Sequence, residues 1–227
     1  MKRIVEPELL DELPADDPRA VRSRLDLRRV NTWMRNHGTM ASVLQSHRNG
    51  GVPGHLTELG AGDGHFLLRV ARRLYPNWPG LNVTLLDRQP VVSAETTSAF
   101  EKLGWQVTTV MADVFDWDPA STEMVTANLF LHHFTDARLA ELFQKISGHT
   151  RLFVAIEPRR FSSPFLCSQL LRLIGCSFVT RHDAAASIRA GFLGGEISAL
   201  WPDGTNWQLT EHRAGLFSHL FVARKIS

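Results

Sequence analysis

From residue 55 onward, the hydrophobic pattern alternates between two periods. Short runs dense in apolar and branched side chains are typical of buried strands, whereas apolar residues that return every three or four positions are typical of amphipathic helices. Strands are predicted by HLTELGAG, LNVTLLD, WQVTTVMADVF, TANLFLHHF and RLFVAIEP, and helices by HFLLRVARRLY, VVSAETTSAFEKLG and TDARLAELFQKIS. Strands separated by helices favour a mostly parallel sheet with helices on both faces.

The N-terminal part of the chain has a different pattern. Residues 1–50 have roughly helical spacing, and Pro18 after Asp16 and Asp17 predicts a helix start, because a carboxylate cap and an early proline suit a first turn. The cluster NGGVPG that follows predicts a linker. We therefore expect an N-terminal helical cap over residues 1–50 and one ligand-binding α/β domain over residues 51–227.

The last third of the chain is predicted to complete the sheet. Residues 161–192 have a helical pattern in which Asp183 is a candidate helix cap, and residues 196–201, 206–213 and 217–225 have the pattern of strands. The last two strands are expected to form an antiparallel hairpin at the sheet edge. The predicted fold is a Rossmann-like α/β fold with a seven-stranded, mostly parallel sheet.

Composition excludes several classes of protein. With 44% apolar and 21% charged residues, the 227-residue chain can bury a core and is not a disordered chain. A formal net charge of +2 does not indicate a nucleic-acid binder. The chain has no apolar run long enough for a membrane span and no secretory signal at its N-terminus, so we expect a cytoplasmic protein. Two cysteines, Cys167 and Cys176, make no disulfide framework.

The most informative segment is ELGAGDG, which lies between a predicted strand and a predicted helix. Its three alternating glycines, Gly60, Gly62 and Gly64, allow a tight turn and a close approach of backbone to a ligand. The helix that follows offers free N–H groups at its start. Since His65 stands where a dinucleotide-binding fingerprint has its third glycine, the spacing differs from that fingerprint.

Acids follow the predicted strands at the edge where ligands bind. Glu58 precedes the glycines and is a candidate partner for an amino group, while Asp87 ends the second strand and can hold two ribose hydroxyls. After the third strand, Asp113 can accept from an adenine amine, with Val114 as an apolar wall. The fourth strand ends at Asn128, whose backbone can line the same cleft.

Residues 55–158 resemble the class I S-adenosylmethionine-dependent methyltransferases. The resemblance is carried by ELGAGDG, LLD, MADVF and ANLFLHHF, in the order and at the spacing of that family. It implies that S-adenosylmethionine is the cofactor, that Gly60, Gly62 and Gly64 pass under its methionine part, and that Asp87, beside Arg88, binds its ribose. It implies that Asp113 binds the adenine. Residues 1–50 and 159–200 are variable regions of the family, on which the resemblance is silent.

Three histidines are candidate general bases for methyl transfer to a hydroxyl, because a neutral imidazole can accept a hydroxyl proton. His132 and His133 directly follow the fourth strand, and we expect at most one of them to face the methyl group, with His133 preferred. A structural role in the loop is the alternative for both. His182 is the third candidate.

Four residues are candidates for binding the acceptor: Trp33 and His37 in the cap, and Glu157 and Arg160 at the end of the fifth strand. For Glu157, capping of the next helix is the alternative, and for Arg160 it is solvent exposure. We expect no metal, since cation-dependent relatives use acids and amides here and not a pair of histidines.

The sequence therefore predicts a methyltransferase that acts on a small molecule. The favoured reaction is O-methylation of an aromatic or polyketide-like hydroxyl, because the segments after residue 158 resemble bacterial secondary-metabolism methyltransferases. N- or C-methylation of a small molecule is the first alternative. RNA or protein methylation and a cofactor-binding subunit without activity are further alternatives. No nucleic-acid or membrane partner is expected, and an oligomer is left open.

Overall fold

The structure is a computed structural model, and it describes residues 2–47, 53–119, 122–161, 170–202 and 204–226. The strands are β1 His55–Leu59, β2 Asn82–Asp87, β3 Gln106–Met111, β4 Met124–Asn128, β5 Leu152–Pro158, β6 Trp207–Ala214 and β7 Ser218–Lys225. The α-helices with defined bounds are α1 Leu9–Glu12, α2 Pro18–Met34, α3 Asn36–Ser46, α4 His65–Leu74, α5 Ala94–Glu101, α6 Asp136–Ser147 and α7 Phe178–Ala190. Among the helices in the described ranges, none has both the length and the apolar composition needed to cross a bilayer.

The seven strands form one sheet in the order β3-β2-β1-β4-β5-β7-β6. Strands β1 to β5 pair in parallel, whereas β7 is antiparallel to both β5 and β6. The order of the strands reverses between β1 and β4, and in such sheets the ligand crevice lies at the reversal. The predicted fold class, including the antiparallel hairpin at the edge, is confirmed.

The inner strands β1, β2, β4, β5 and β7 are buried on both faces, as apolar strands in a parallel sheet predict, whereas the edge strands β3 and β6 are partly exposed. In β5, Phe153 and Ala155 pack toward α6, while Val154 and Ile156 pack toward the opposite face. On that opposite face, Met40 and Leu44 of α3 belong to the same core as α4. The N-terminal region is therefore part of the main core.

Some predicted boundaries are confirmed. Asp17 accepts a hydrogen bond from the N–H of Arg19 and caps α2, with Pro18 in its first turn. The predicted linker falls largely on residues 48–52, which lie outside the described residues, so the division at residue 50 stays a prediction. Cys176 is buried with a free thiol, and Cys167 lies outside the described residues.

One predicted strand and one predicted helix cap are wrong. Residues 196–201 do not form a strand but contain a short 3-10 turn, Ser198–Leu200. The stretch predicted as helical over residues 161–192 is helical in its described part at residues 170–173 and in α7, and Gly175, with a φ of 76°, lies between the two pieces. The cap of α7 is Ser177, which accepts from the N–H of Thr180. Asp183 lies inside the helix.

The first residues form an extended strap, which we define as residues 2–8, followed by the short helix α1. Arg3 donates to the carbonyl of Phe134 over 2.6 Å, and the N–H of Ile4 donates to the carbonyl of Arg189. At the C-terminal end of the strap, where α1 begins, the side chain of Asp183 accepts hydrogen bonds from the N–H groups of Leu9 and Leu10. The helical expectation for residues 1–50 is therefore wrong for the strap, which runs beside the carboxyl end of the sheet.

Candidate active site

A cleft with a volume of about 840 Å³ lies at the carboxyl ends of β1, β2 and β4. This is near the upper end of the roughly 300–1,000 Å³ that ligand pockets span, which leaves space for two ligands side by side. The glycine turn after β1 forms one wall, and the strap, α2 and α7 contribute others. Eight of the nine predicted cofactor residues line this cleft: Glu58, Gly60, Gly62, Asp87, Arg88, Asp113, Val114 and Asn128. The ninth, Gly64, is not among the lining residues.

The three glycines of the turn differ in the space around their Cα atoms. Each has a positive φ, of 61° at Gly60, 55° at Gly62 and 72° at Gly64, which is a conformation that glycine adopts without steric cost. A Cβ at Gly60 would overlap the ring of Phe130, and one at Gly64 would lie 2.8 Å from Leu85. A Cβ at Gly62 would meet no protein atom within 4 Å. Of the three, Gly62 is therefore the glycine that leaves open space in the cleft.

Glu58 is a buried carboxyl group with an oxygen that lacks a protein partner. It lies at the cleft end of β1, and its Oε2 makes no hydrogen bond. Burial, together with the nearby charges of Asp63 and Asp87, raises the pKa of Glu58 well above its ordinary value. An unpaired acid in this position is suited to a cationic ligand group, since a cation would favour its charged form.

Asp87 connects the end of β2 to the glycine turn. Its Oδ2 accepts from the N–H of Gly62 over 2.7 Å, and its Oδ1 accepts from the N–H of Gln89 over 2.9 Å. These bonds fix the carboxylate at the rim of the cleft, with lone pairs left for a ligand. Arg88 beside it is largely exposed and lies 3.9 Å from the carboxylate of Asp11.

The ends of β3 and β4 complete this side of the cleft. Asp113 Oδ1 accepts from the N–H of Phe115 over 2.9 Å, so the carboxylate also shapes the turn. The side chain of Asn128 connects the end of β4 to the N-terminal helices. It accepts a hydrogen bond from Asn36 and donates one to Asn31, and each bond is 3.1 Å long. The next residue, Leu129, has a φ of 54°, which is uncommon for a residue with a side chain.

His132 is the best-anchored of the three candidate bases. Its ring is buried, and Nδ1 lies 2.8 Å from Oε2 of Glu157. Glu157 also accepts from the backbone N–H groups of Phe130 and Leu131, so it fixes the whole turn after β4. This carboxylate is fully buried, its oxygens are engaged by these hydrogen bonds, and it is not among the residues that line the cleft, where the sequence analysis had placed it as a candidate acceptor-binding residue.

Glu8 of the strap lies against both histidines. Its Oε1 is 3.3 Å from Nε2 of His132, and its Oε2 is 3.4 Å from Nε2 of His133. Burial alone would lower the pKa of His132, but hydrogen bonds with Glu157 and Glu8 raise it to about 9. Burial and the charge of His132 would lower the pKa of His133, but Glu8 and Asp11 raise it above its ordinary value. The histidines in turn lower the pKa of Glu8 against the effect of its burial.

The remaining predicted residues are divided between the cleft and other places. Trp33 and His37 line the cleft, and the Nε2 of His37 accepts from Arg73. Arg160 is buried in an ion pair with Glu196 and also donates to the carbonyl of Gly191, so it holds neighbouring loops together and is not solvated. His182 is half exposed beside Phe178 and contacts Asp183. The structure does not bring Arg160 or His182 to the cleft.

Sequence reasoning missed two contacts from the N-terminal region. Glu8 lies in an acidic stretch with no pattern of its own. Arg28 of α2 donates to Asp63 of the glycine turn over 2.7 Å, but in the sequence it is one arginine among several in a helix. The sequence around Glu8 and Arg28 does not indicate these contacts, because the partner of each residue lies far away in the chain.

Residues 57–151 match a family model described as a methyltransferase domain. These residues form a methyltransferase domain. No curated protein sequence matches the chain significantly.

Solved methyltransferase structures share the fold at low sequence identity. The plantazolicin methyltransferase BpumL in complex with SAH has a TM-score of 0.65 and 13% identity, over 93% of this chain and 92% of that one. Magnesium protoporphyrin IX methyltransferase from Synechocystis PCC 6803 has a TM-score of 0.56 and 15% identity, over 85% and 83%. The mitomycin 7-O-methyltransferase MmcR has a TM-score of 0.60 and 16% identity over 95% of this chain, which spans 60% of that protein's length.

The cleft of the methyltransferase domain fits the parts of S-adenosylmethionine. The unpartnered Oε2 of Glu58 suits the cofactor's ammonium group, and the open space at Gly62 admits ligand atoms beside the backbone. The carboxylate of Asp87 is set to accept from ribose hydroxyls. The features at Gly62 and Asp87 support the roles that the family resemblance implies, and the one at Glu58 supports the role predicted from its position at the strand end.

Binding of the cofactor is expected to release a proton from Glu58. The raised pKa keeps the free carboxyl group protonated to a higher pH than usual, and an ammonium group beside it would restore the lower value. Between these two values, affinity should therefore rise with pH. Calorimetry of S-adenosylmethionine binding in buffers of different ionisation enthalpy measures the released proton. Glu58→Gln should abolish that release, and an unchanged release in this variant would assign the proton to another group.

Proposed function

We propose that this protein transfers a methyl group from S-adenosylmethionine to a hydroxyl of an apolar, aromatic or polyketide-like small molecule, with His132 as general base. The observation that carries the proposal is the buried pair of His132 and Glu157 beside the cleft. Because the carboxylate engages Nδ1, the other ring nitrogen, Nε2, is the one available on the cleft side. This geometry favours His132 over His133, which the sequence pattern had favoured.

The pair suits removal of a hydroxyl proton. A phenol has an ordinary pKa near 10, so it keeps its proton in water at neutral pH. Against the effect of burial, Glu157 and Glu8 raise the pKa of His132 to about 9, so the ring is mostly protonated at neutral pH while Glu8 contacts it. Displacement of Glu8 by the acceptor removes one of these two groups and favours the neutral imidazole that accepts a proton. A hydroxyl that replaces Glu8 at Nε2 would donate its proton there, and Glu157 would stabilise the imidazolium that forms. When bound, S-adenosylmethionine would supply an electrophilic methyl group, and its sulfur would leave as a neutral thioether as the methyl group bonds to the acceptor oxygen.

Apolar side chains near the helices support an apolar acceptor. Leu27 and Val30 of α2, together with Leu170 and Leu173, line the cleft. Trp33 and Leu173 are 72% and 82% exposed although both also line the cleft. Large exposed apolar side chains at a cleft are surfaces that a ligand can cover.

A panel of matched acceptors tests the proposal. The full chain is incubated with methyl-labelled S-adenosylmethionine and a hydroxylated polycyclic aromatic compound, its amino analogue or its methyl ether. We expect label on the hydroxyl compound and none on the ether, with the O-methyl product identified by mass spectrometry. Label on the amine alone would replace the proposal by N-methylation. Tight cofactor binding with no turnover on a broad panel would favour a binding subunit.

A further inference from the structure

Three potential metal ligands converge at one point of the cleft. Glu8, His132 and His133 each offer a ligand atom, and these atoms all lie within 4.8 Å of one another. The two imidazole rings lie side by side, with centroids 4.2 Å apart and planes tilted by 32°. Two imidazoles and one carboxylate form a donor set that divalent transition metals prefer.

The distances leave room for one ion between the three side chains. Oε1 of Glu8 lies 3.3 Å from Nε2 of His132, and Oε2 lies 3.4 Å from Nε2 of His133. With metal–ligand bonds of about 2.0–2.1 Å, neighbouring ligand atoms of a tetrahedral zinc site are about 3.3–3.4 Å apart. Small rotations of the side chains would therefore bring one oxygen and both nitrogens into ligand positions.

Each of the three candidate ligands is oriented by a further hydrogen bond, as metal ligands in proteins usually are. A metal-binding histidine commonly donates its other ring N–H to a carboxylate or a backbone carbonyl. His132 Nδ1 lies 2.8 Å from Glu157, and His133 Nδ1 lies 2.9 Å from the carbonyl of Phe130. Glu8 itself accepts a hydrogen bond from Ser187. These contacts direct both Nε2 atoms and the Glu8 carboxylate toward the same point.

We propose that Glu8, His132 and His133 bind a divalent metal ion of the zinc class. Three protein ligands leave a fourth position open, which is the arrangement of catalytic zinc sites. The sequence-based expectation of no metal considered the two histidines without Glu8, because nothing in the sequence connects residue 8 with residues 132 and 133. Only the strap brings the carboxylate to the histidines.

The use of the ion, though not its binding, rests on the proposed function. An acceptor oxygen in the open position would have its pKa lowered by the ion, which would then replace the imidazole in acidifying the hydroxyl. Binding would also fasten the strap to the end of β4 through Glu8. His132 would be a ligand in the loaded protein and a base in the metal-free protein.

Metal binding by the full chain tests the proposal without an acceptor. The protein is treated with a chelator, dialysed and titrated with Zn²⁺ in competition with a chromophoric chelator, and Co²⁺ serves as a spectroscopic probe. We expect one equivalent per chain and the intense visible absorption of four- or five-coordinate Co²⁺. Glu8→Gln and His133→Ala should each weaken binding at least about 10-fold. The matched controls Glu6→Gln, on the same strap, and His149→Ala, an exposed histidine, should bind as the wild type does.

Cofactor binding by each variant serves as the test of folding, since the hydrogen bonds and ion pairs of Glu8 in the described residues go to His132, His133 and Ser187 and not to the glycine turn. The proposal is overturned if the wild type shows no saturable binding, or if Glu8→Gln and His133→Ala bind like the controls. Methyl transfer in excess chelator is measured separately. Transfer without any metal binding would overturn this inference alone, and metal binding without transfer to any hydroxyl would overturn the proposed function alone.

Discussion

Replacing His132 by alanine is expected to lower kcat about 10²- to 10⁴-fold, the usual contribution of a positioned general base. The affinity for S-adenosylmethionine should change little, because His132 lies after β4, away from the glycine turn and Asp87. Single-turnover methyl transfer and calorimetric cofactor binding, measured on the same preparation, separate the two effects. A large loss of transfer with intact cofactor binding would place His132 at the reacting oxygen.

Two further variants sharpen this prediction. His182→Ala is the matched control, because this histidine is half exposed and lies away from the cleft. Glu157→Gln keeps the shape but removes the charge beside Nδ1, and it should lower kcat with little change in KM, whereas a purely structural role would lower stability alone. Equal activity of His132→Ala and His182→Ala would contradict the assignment. Persistence of wild-type transfer in excess chelator would show that the free imidazole suffices.

Replacing Asp87 by alanine is expected to weaken S-adenosylmethionine binding about 100-fold, since hydrogen bonds to a charged group contribute roughly 1.5–3 kcal/mol each. The variant loses the acceptor for the ribose and also the bond to the N–H of Gly62 that shapes the glycine turn. Calorimetric titration with S-adenosylmethionine and S-adenosylhomocysteine measures the loss. Both ligands should lose affinity to a similar extent, because they share the ribose.

The control for Asp87→Ala is Asp116→Ala, which removes an exposed carboxylate near the end of the neighbouring strand. Asp87→Asn retains an acceptor for the N–H of Gly62 and should lie between the wild type and the alanine variant. Thermal unfolding of each variant without ligand detects any damage to the fold. Undiminished binding by a folded Asp87→Ala protein would remove Asp87 from the cofactor site.

Much of the fold could be predicted because its signals are local. The alternation of apolar strands and amphipathic helices, with prolines and glycines between them, predicted all seven strands that the sheet contains. The strand predicted over residues 196–201 is wrong because these residues contain a 3-10 turn. The turn is held next to β6 by Glu211, which accepts hydrogen bonds from the N–H groups of Ile197 and Ser198. Burial in a turn and burial in a strand leave similar short apolar runs in a sequence.

The candidate site was predictable wherever a residue follows a strand. Glu58, Asp87, Asp113 and His132 each stand at or directly after a strand end, and parallel strands bring their carboxyl ends to one edge of the sheet. Arg160 also follows a strand, yet its side chain is buried against Glu196. The position of a residue along the chain predicts that it lies at the carboxyl edge of the sheet, but not the direction in which its side chain points.

The sequence by itself determined the parallel sheet, the glycine turn and the family of the domain, because each depends on neighbouring residues or on fixed spacing. The tertiary structure alone decided which histidine is anchored by Glu157, and that Glu8 reaches both histidines from the other end of the chain. The physical reason is the range of these contacts. Side chains separated by about 25 to 125 residues are brought together by the folded sheet, and the local sequence carries no signal of which residues they contact.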